Sequence, residues 1–389
     1  MPRLVRDRAT WLIYAQLGVW GYFLYGFGPV VPMLRVEQRV SATAASLHGT
    51  ALAVGGVLGG LLLPALVRRL GRGGTLWLAM VGVAVTGIAL CLAHPLPGTL
   101  AATVAVSTFG TILVGSVVAA LAAHHGLAGP AAISEANAIA CGMGVLAPLV
   151  IGFAVAAGFG WRPGLAAVAG LVALVAVIAF SLGVRVPRGA VPSTVDVAGP
   201  LPRAYWIAWT LMATTGAIEV SLSLWAADVL RGHAGMTAGG AAAAVSAIVA
   251  GMAVGRLLGG RLVLRLGPVR LFLGALGLSA VGFAVFWTAT STWLAVAGLM
   301  IVGLGNSMHY PLGISLALRT APGQEDRAAG WASYSMALGF GLGPFILGAI
   351  ADGVGTHLAF LVVPALLALA AILVARLARR LAVPVPVPV

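Results

Sequence analysis

One carboxyl set deep in an apolar stretch is the residue of this 389-residue chain best placed to do chemistry. Glu219 lies well inside the apolar run 204–229, and Thr215, Glu219 and Ser223 follow at four-residue steps, so on a helix they share one face. A charge at the centre of a membrane span costs roughly 2.5–3.5 kcal/mol on insertion scales, so few are kept without a reason. A carboxyl that binds a proton in a dehydrated cavity and releases it when the cavity wets would couple proton movement to solute movement. The alternative is a glutamate bonded structurally to a neighbouring helix. Thr215 is a candidate solute contact on the same face.

A second polar patch lies in the run Gly303-Leu304-Gly305-Asn306-Ser307-Met308-His309-Tyr310-Pro311. His309 and Tyr310 stand three and four residues beyond Asn306, so a helix gathers all three near mid-span. Histidine titrates close to neutral pH. His309 is therefore either a proton partner for Glu219, a solute ligand, or a neutral ring held by a backbone carbonyl beside Pro311. Tyr14, Tyr22 and Tyr25 form a helical stripe on the first apolar run, and Trp331, Tyr334 and Ser335 open a later run in the same style. Rings with a polar tip suit an amphipathic ligand, and equally suit helix packing. Asn137 is a candidate cavity residue, whereas Glu135 near the same helix start suits the helix dipole or an arginine partner. Arg256 either snorkels to the interface as a structural residue or clamps an anionic solute.

Cofactor chemistry finds little support. His124-His125 has no further metal ligands nearby, and Cys91 and Cys141 suggest neither a disulfide nor a metal site. The run Gly339-Phe340-Gly341-Leu342-Gly343 mimics a nucleotide loop but lies in an apolar span with no strand before it. No nucleophile–base pair or phosphate-binding loop is visible. The expectation is a protein that is not an enzyme, holds no cofactor or metal, and does not use ATP.

Composition says what positions these residues. Hydrophobic residues make up 61% of the chain and charged residues only 8%, against about 25% charged in a soluble domain. At about 20 apolar residues per span, the pattern gives twelve spans: 10–33, 43–67, 74–94, 98–123, 131–158, 163–184, 204–229, 236–264, 270–290, 292–318, 328–352 and 356–378. The first is read as a retained span, since it is too long for a signal-peptide core. The net charge of +13 comes with all 22 basic residues being arginine, in ones to threes between spans rather than in a stripe, which argues against nucleic acid. Seventeen arginines fall on the side of the termini and four, Arg35, Arg39, Arg162 and Arg231, on the other, with Arg256 inside a span. The positive-inside rule then puts both termini in the cytoplasm and the protein in the cytoplasmic membrane.

An internal repeat organises the spans. A shift of 196 residues brings Gly55 and Gly59 onto Gly251 and Gly255, and Pro148 and Gly152 onto Pro344 and Gly348. The same shift brings Leu66-Val67-Arg68-Arg69-Leu70-Gly71 onto Leu262-Val263-Leu264-Arg265-Leu266-Gly267, five of six identical. The expected domains are a six-helix bundle at 1–184, a central cytoplasmic loop at 185–203, a second six-helix bundle at 204–380 and a disordered Pro/Val tail at 381–389.

These residues resemble the major facilitator superfamily of secondary transporters along essentially the whole chain. The family's signature between helices 2 and 3, Gly-x-x-x-Asp-Arg-x-Gly-Arg, is matched here by Arg69, Gly71 and Arg72, with Pro64 at its first glycine and Arg68 at its aspartate. The second half carries Gly260, Arg265 and Gly267, with Leu264 in the acidic position. The acidic residue associated in the family with latching the two halves is absent from both places. Pro148 and Pro344 stand where family exporters carry a helix-5 proline motif, and the arginine of exporter helix 4 is missing. The resemblance implies an all-α membrane protein, twelve transmembrane helices in two pseudo-symmetric six-helix bundles, working by alternating access around a central cavity.

The reading that follows is a monomeric secondary transporter whose partners are a small-molecule solute, protons and the lipid bilayer. Proton-coupled efflux of an amphipathic compound is the first expectation. Import of a small metabolite or organic anion by symport or uniport is the alternative, and a membrane sensor that binds without transporting is the third.

Overall fold

The computed structural model describes residues 4–184, 199–322 and 324–381. Most of the expected central loop, residues 185–198, and the tail from residue 382 lie outside the described residues, as do Arg3, Arg185 and Arg188. All regular structure among the described residues is helical. Helices suit an apolar bilayer, because a helix satisfies its own backbone groups where no water can.

Among the described residues, ten helices are long and apolar enough to cross a membrane. The helix Ala42–Leu92 has 51 residues, about 77 Å if straight and far more than one span needs. It breaks at Gly71, whose φ of 70° and ψ of 170° are closed to other residue types. It therefore holds span 2 (42–70) and span 3 (72–92). A further span is built from two pieces too short to cross alone, Thr292–Asn306 and His309–Arg319, interrupted at Ser307 and Met308. Taken this way, the described residues fit the twelve spans of the apolar pattern. Span 1 is Arg8–Gln38, span 4 Leu96–His125, span 5 Gly129–Ala156, span 6 Trp161–Ser181 and span 7 Arg203–Gly232. Span 8 is Ala238–Ala244 continued by Ser246–Leu266, and span 9 is Pro268–Thr288. The broken pair forms span 10, Glu325–Val354 is span 11, and Thr356–Ala359 with Val362–Leu381 forms span 12.

The 196-residue repeat is present in three dimensions. Gly267 has φ 74° and ψ 157°, matching Gly71. A Cβ on Gly55 would lie 2.3 Å from the Val104 carbonyl oxygen, and one on Gly251 would lie 2.1 Å from that of Met300. Val104 and Met300 are themselves 196 residues apart. Spans 2 and 4 thus touch backbone to backbone as spans 8 and 10 do, which is what small residues at a helix interface allow. Gly251→Ala is expected to destabilise the protein by about 1–3 kcal/mol through overpacking. Gly60→Ala, where a Cβ meets nothing within 4 Å, should be neutral. Thermal unfolding of the two variants in detergent checks the pair.

The ends of the first span are pinned by short-range polar contacts. Asp7 caps span 1 by accepting from the Thr10 amide at 2.8 Å and hydroxyl at 2.7 Å, and it meets His124 at 2.8 Å. Burial opposes ionisation of Asp7, but these donors outweigh it and hold its carboxyl down at about 2. At the far end, Arg162 donates to both oxygens of Glu37, at 2.8 and 2.5 Å.

Contacts between the two halves begin at the end of the molecule away from the termini. The Asp352 carboxylate of span 11 accepts from the amides of Ala42 and Thr43 at 2.6 and 2.9 Å and from the Thr43 hydroxyl at 2.5 Å. It thereby caps the N-terminus of span 2 from the opposite half. Arg35 of span 1 pairs with Asp228 of span 7 at 3.2 Å, and Thr356 donates to the same carboxylate oxygen at 2.6 Å. Further in, Gly348 packs on Ala42 and Ser46, Gly152 packs on Gly239, and the Thr50 hydroxyl donates to the Gly341 carbonyl at 3.2 Å. These contacts run from the far end to mid-depth. Beyond that depth, Asn137 of span 5 and Trp331 of span 11 are exposed.

A carboxylate at a helix N-terminus stabilises it by about 0.3–1 kcal/mol, and more when it also caps. Asp352→Ala should therefore loosen the far-end closure by about 1–2 kcal/mol, a five- to thirtyfold shift in population. A cysteine placed at Thr50 and probed with a membrane-impermeant maleimide should label several-fold faster in that background. Unchanged labelling would mean that the cap does not hold the closure.

Candidate functional site

Five spans bring polar side chains together at mid-depth between the halves. They are Tyr25 of span 1, Cys141 of span 5, Glu219 of span 7, Arg256 of span 8 and Tyr310 of span 10. Arg256 is the hub. Its Nη1 donates to the Cys141 thiol sulfur at 2.7 Å, a bond that crosses from one half to the other. Its charge also acts on Tyr25, Glu219 and Tyr310.

Close packing sets these positions. Gly144, one turn beyond Cys141, leaves room for the Tyr25 ring, which lies 2.4 Å from where a Cβ would stand. Gly28, one turn beyond Tyr25, lets span 1 approach the Ser223 carbonyl of span 7 at 2.4 Å from its own ideal Cβ. On span 7 the two hydroxyls of the Glu219 face bond their own helix: Ser223 to the Glu219 carbonyl at 2.9 Å and Thr215 to that of Met212 at 3.1 Å. Such back-bonding satisfies both hydroxyls locally. The Glu219 carboxyl has no hydrogen-bond or ion-pair partner among the described residues, so it is free to exchange a proton or meet a ligand.

Span 10 contributes less than its sequence suggests. Asn306 and His309 face span 9, where Ser279 donates to Asn306 Oδ1 at 3.1 Å and lies 3.4 Å from His309 Nε2. The His309 ring stacks on Phe272 with centroids 5.8 Å apart. Both side chains are buried, and Asn306 Nδ2 and His309 Nδ1 have no hydrogen-bond partner among the described residues. Tyr310, about 100° further round the helix, is 45% exposed and lies within range of the Arg256 charge. The structure thus separates His309 from Glu219 rather than joining them.

The tyrosine stripe divides in the same way. Tyr14 is buried and donates to Glu135 at 3.1 Å, and Glu135 in turn accepts from Arg6 at 2.8 and 2.5 Å. That chain of contacts closes the termini end of the first half and gives Glu135 the arginine partner expected of it. Tyr22 is buried and donates to the Gly164 carbonyl at 2.6 Å. Of the three, Tyr25 alone joins the mid-depth group. Asn137 is exposed and bonds the Ile133 carbonyl at 2.8 Å. Tyr334 lies against Trp331, which meets Trp206 at 5.7 Å between centroids. These rings form an aromatic rim at the termini end of the second half.

The motif residues lie at the turns. Arg69 and Arg265 are exposed, whereas Arg72 is buried and points to the Ala119 carbonyl at 3.5 Å. Gly71 and Gly267 make the two turns. Gly260 belongs to span 8, and its packing lies outside what is described. Pro148 is buried in span 5, and the Pro344 ring of span 11 packs on Gly49 across the halves, 3.2 Å from the ideal Cβ. Among the described residues no group of three or more His, Cys, Asp or Glu could hold a metal ion. By sequence, Arg256 is a structural residue with anion clamping as the alternative, and Cys141 is only a cysteine outside any disulfide or metal site. The signal for Arg256 was its standing as the one arginine inside a span.

Residues 205–388 match the family model described as Major Facilitator Superfamily. No curated protein matches the chain. Among solved structures, a bacterial homologue of the human lysosomal transporter Spinster, inward-facing and unoccupied, superposes with a TM-score of 0.77 at 16% identity, covering 96% of this chain and 97% of that one. A D-xylose–proton symporter gives 0.79 at 15% identity over 95% and 96%. The nucleoside transporter NupG gives 0.73 at 13% identity over 97% and 98%. At these identities the likeness is one of fold.

Proposed function

Since the chain is a major facilitator in fold along its length and in sequence over residues 205–388, we propose that it is a proton-coupled secondary transporter of a small organic anion. It works by alternating access in the cytoplasmic membrane with both termini inside. The reading is supported by Arg256, whose guanidinium bonds Cys141 across the junction of the halves, and by Glu219, the acid inside span 7 whose neighbouring hydroxyls bond the backbone and leave the carboxyl unengaged.

The coupling follows from charge. With Glu219 ionised, Arg256 and Glu219 balance and the group is neutral. Protonation of Glu219 leaves the guanidinium uncompensated, and an anionic solute restores neutrality. Anion without proton would add a net negative charge at low dielectric. Two unit charges about 6 Å apart interact by about 3 kcal/mol at an effective dielectric of about 20, so the two ligands are held together. Tyr25 and Tyr310 supply hydroxyl donors and apolar ring faces for the rest of the solute.

A second reading has a specific observation in its favour. The rim of Trp206, Trp209, Trp331 and Tyr334 at the termini end suits an amphipathic compound entering from the cytoplasm for proton-driven efflux. The test is transport by the purified chain in proteoliposomes under an imposed pH gradient, with labelled organic anions, sugars and amphipathic cations as the panel. Accumulation of a monoanion with no accompanying current is the expected result, because proton and anion cross together. Movement of cations alone would replace this reading with the efflux one, and binding without movement would make the protein a sensor.

A further inference from the structure

The far end of the molecule carries a second basic site, separate from the mid-depth group. A pocket of about 870 Å³ opens there at the junction of the halves. Arg35 and Arg39 line it from the first half, and Arg231, His233 and His357 line it from the second. Asp228 is the single acid in the lining, and its carboxylate oxygen is already bonded to Arg35 and Thr356. Arg39 and Arg231 have no hydrogen-bond or ion-pair partner among the described residues.

The placement of these arginines runs against the charge pattern of the chain. The far side holds only four of the 22 arginines, and three of the four converge on this pocket. The fourth, Arg162, is neutralised by Glu37 at 2.5 Å. Arg39 is also the one non-glycine residue with positive φ among the described residues, at 53°, in the left-handed turn that ends span 1. The imidazoles add donors on the opposite wall. His233 and His357 stack with centroids 3.8 Å apart, and Trp287 covers the other face of His357 at 4.7 Å.

We propose that this pocket is a binding site for a multivalent oxyanion of the phosphate type, held between Arg39 of the first half and Arg231 of the second. Guanidinium groups match the oxygen geometry of phosphate in pairs, which a halide does not offer. The anion bridges the halves on the side that is closed. Opening the far end would draw Arg39 away from Arg231, so the bound anion favours the state open toward the termini by mass action. The oxyanion is either free phosphate or the headgroup of an anionic lipid.

The test uses the full chain in nanodiscs of phosphatidylcholine, with radiolabelled inorganic phosphate titrated at constant ionic strength in chloride. A parallel sample contains phosphatidylglycerol and no phosphate, and retained lipid is counted by native mass spectrometry. Arg39→Gln with Arg231→Gln is the test variant, and Arg162→Gln is the control for general surface charge. Thermal unfolding without phosphate establishes that each variant is folded. Saturable phosphate binding that weakens at least tenfold in the double variant and survives in the control is the expected result. Lipid retention lost in the double variant alone, without phosphate binding, supports the site and identifies the headgroup as its ligand. Absence of both signals from the unsubstituted chain, binding that persists in the double variant, or an equal loss in Arg162→Gln would each overturn the proposal.

Discussion

Replacing Glu219 with glutamine is expected to abolish proton-driven accumulation of solute while leaving exchange of internal for external solute intact. A gradient of one pH unit supplies about 1.4 kcal/mol per proton, enough for about tenfold accumulation at one-to-one coupling. Glutamine keeps the size of the carboxyl and its neutral, protonated form but can release no proton. The variant should therefore bring solute to equal concentrations on the two sides and stop there. Its exchange rate should also lose dependence on pH, because the site remains ready for an anion at every pH. The free Glu219 carboxyl is the reason to expect a clean effect: the surrounding hydroxyls bond the helix backbone and not the side chain, so the substitution breaks no structural bond. Tenfold accumulation surviving in the variant would remove Glu219 from the coupling step and make it a packing residue of span 7.

The architecture was legible because it rests on one-dimensional signals. Apolar runs of span length and a repeat at a fixed offset survive translation into three dimensions with their register intact, down to the shared backbone angles of Gly71 and Gly267. Glu219 could be singled out for a similar reason, since a lone charge in an apolar run is visible without knowing its neighbours. The failures concern rotation about helix axes and contacts between halves. Asn306, His309 and Tyr310 look like one patch by spacing, yet Asn306 and His309 pack against Ser279 and Phe272 of span 9 while Tyr310 is left half-exposed. Tyr14, Tyr22 and Tyr25 follow one helix but meet three different environments. Nothing in the run around Asp352 announces that its carboxylate will cap a helix 310 residues away in sequence. That cap also bears on the missing acids at Arg68 and Leu264, for a carboxylate on a helix N-terminus does join the halves, at the opposite end of the molecule.

Replacing Arg256 with glutamine is the other change with a large expected effect, and it separates the two readings of the solute. Truncating one partner of a buried charged contact costs about 2–5 kcal/mol. For an anion held by this guanidinium, about 2–4 kcal/mol corresponds to a thirtyfold to thousandfold fall in transport at low solute concentration. Arg256→Lys should recover part of it, since an ammonium keeps the charge but lacks the planar fork that holds Cys141 and a solute at once. A bare structural role for the Arg256–Cys141 bond predicts a different pattern. Cys141→Ala would then reproduce the defect, and unfolding temperature would fall together with transport. If Arg256 serves the anion, Cys141→Ala leaves transport nearly unchanged. The double variant Glu219→Gln with Arg256→Gln is informative in the same experiment, because it removes both charges and leaves the group neutral. An anion should still be refused by that variant, while a neutral or cationic amphipathic compound that depends on the aromatic rim should cross by exchange as before. Retention of anion transport by the double variant would place the solute away from Arg256 altogether.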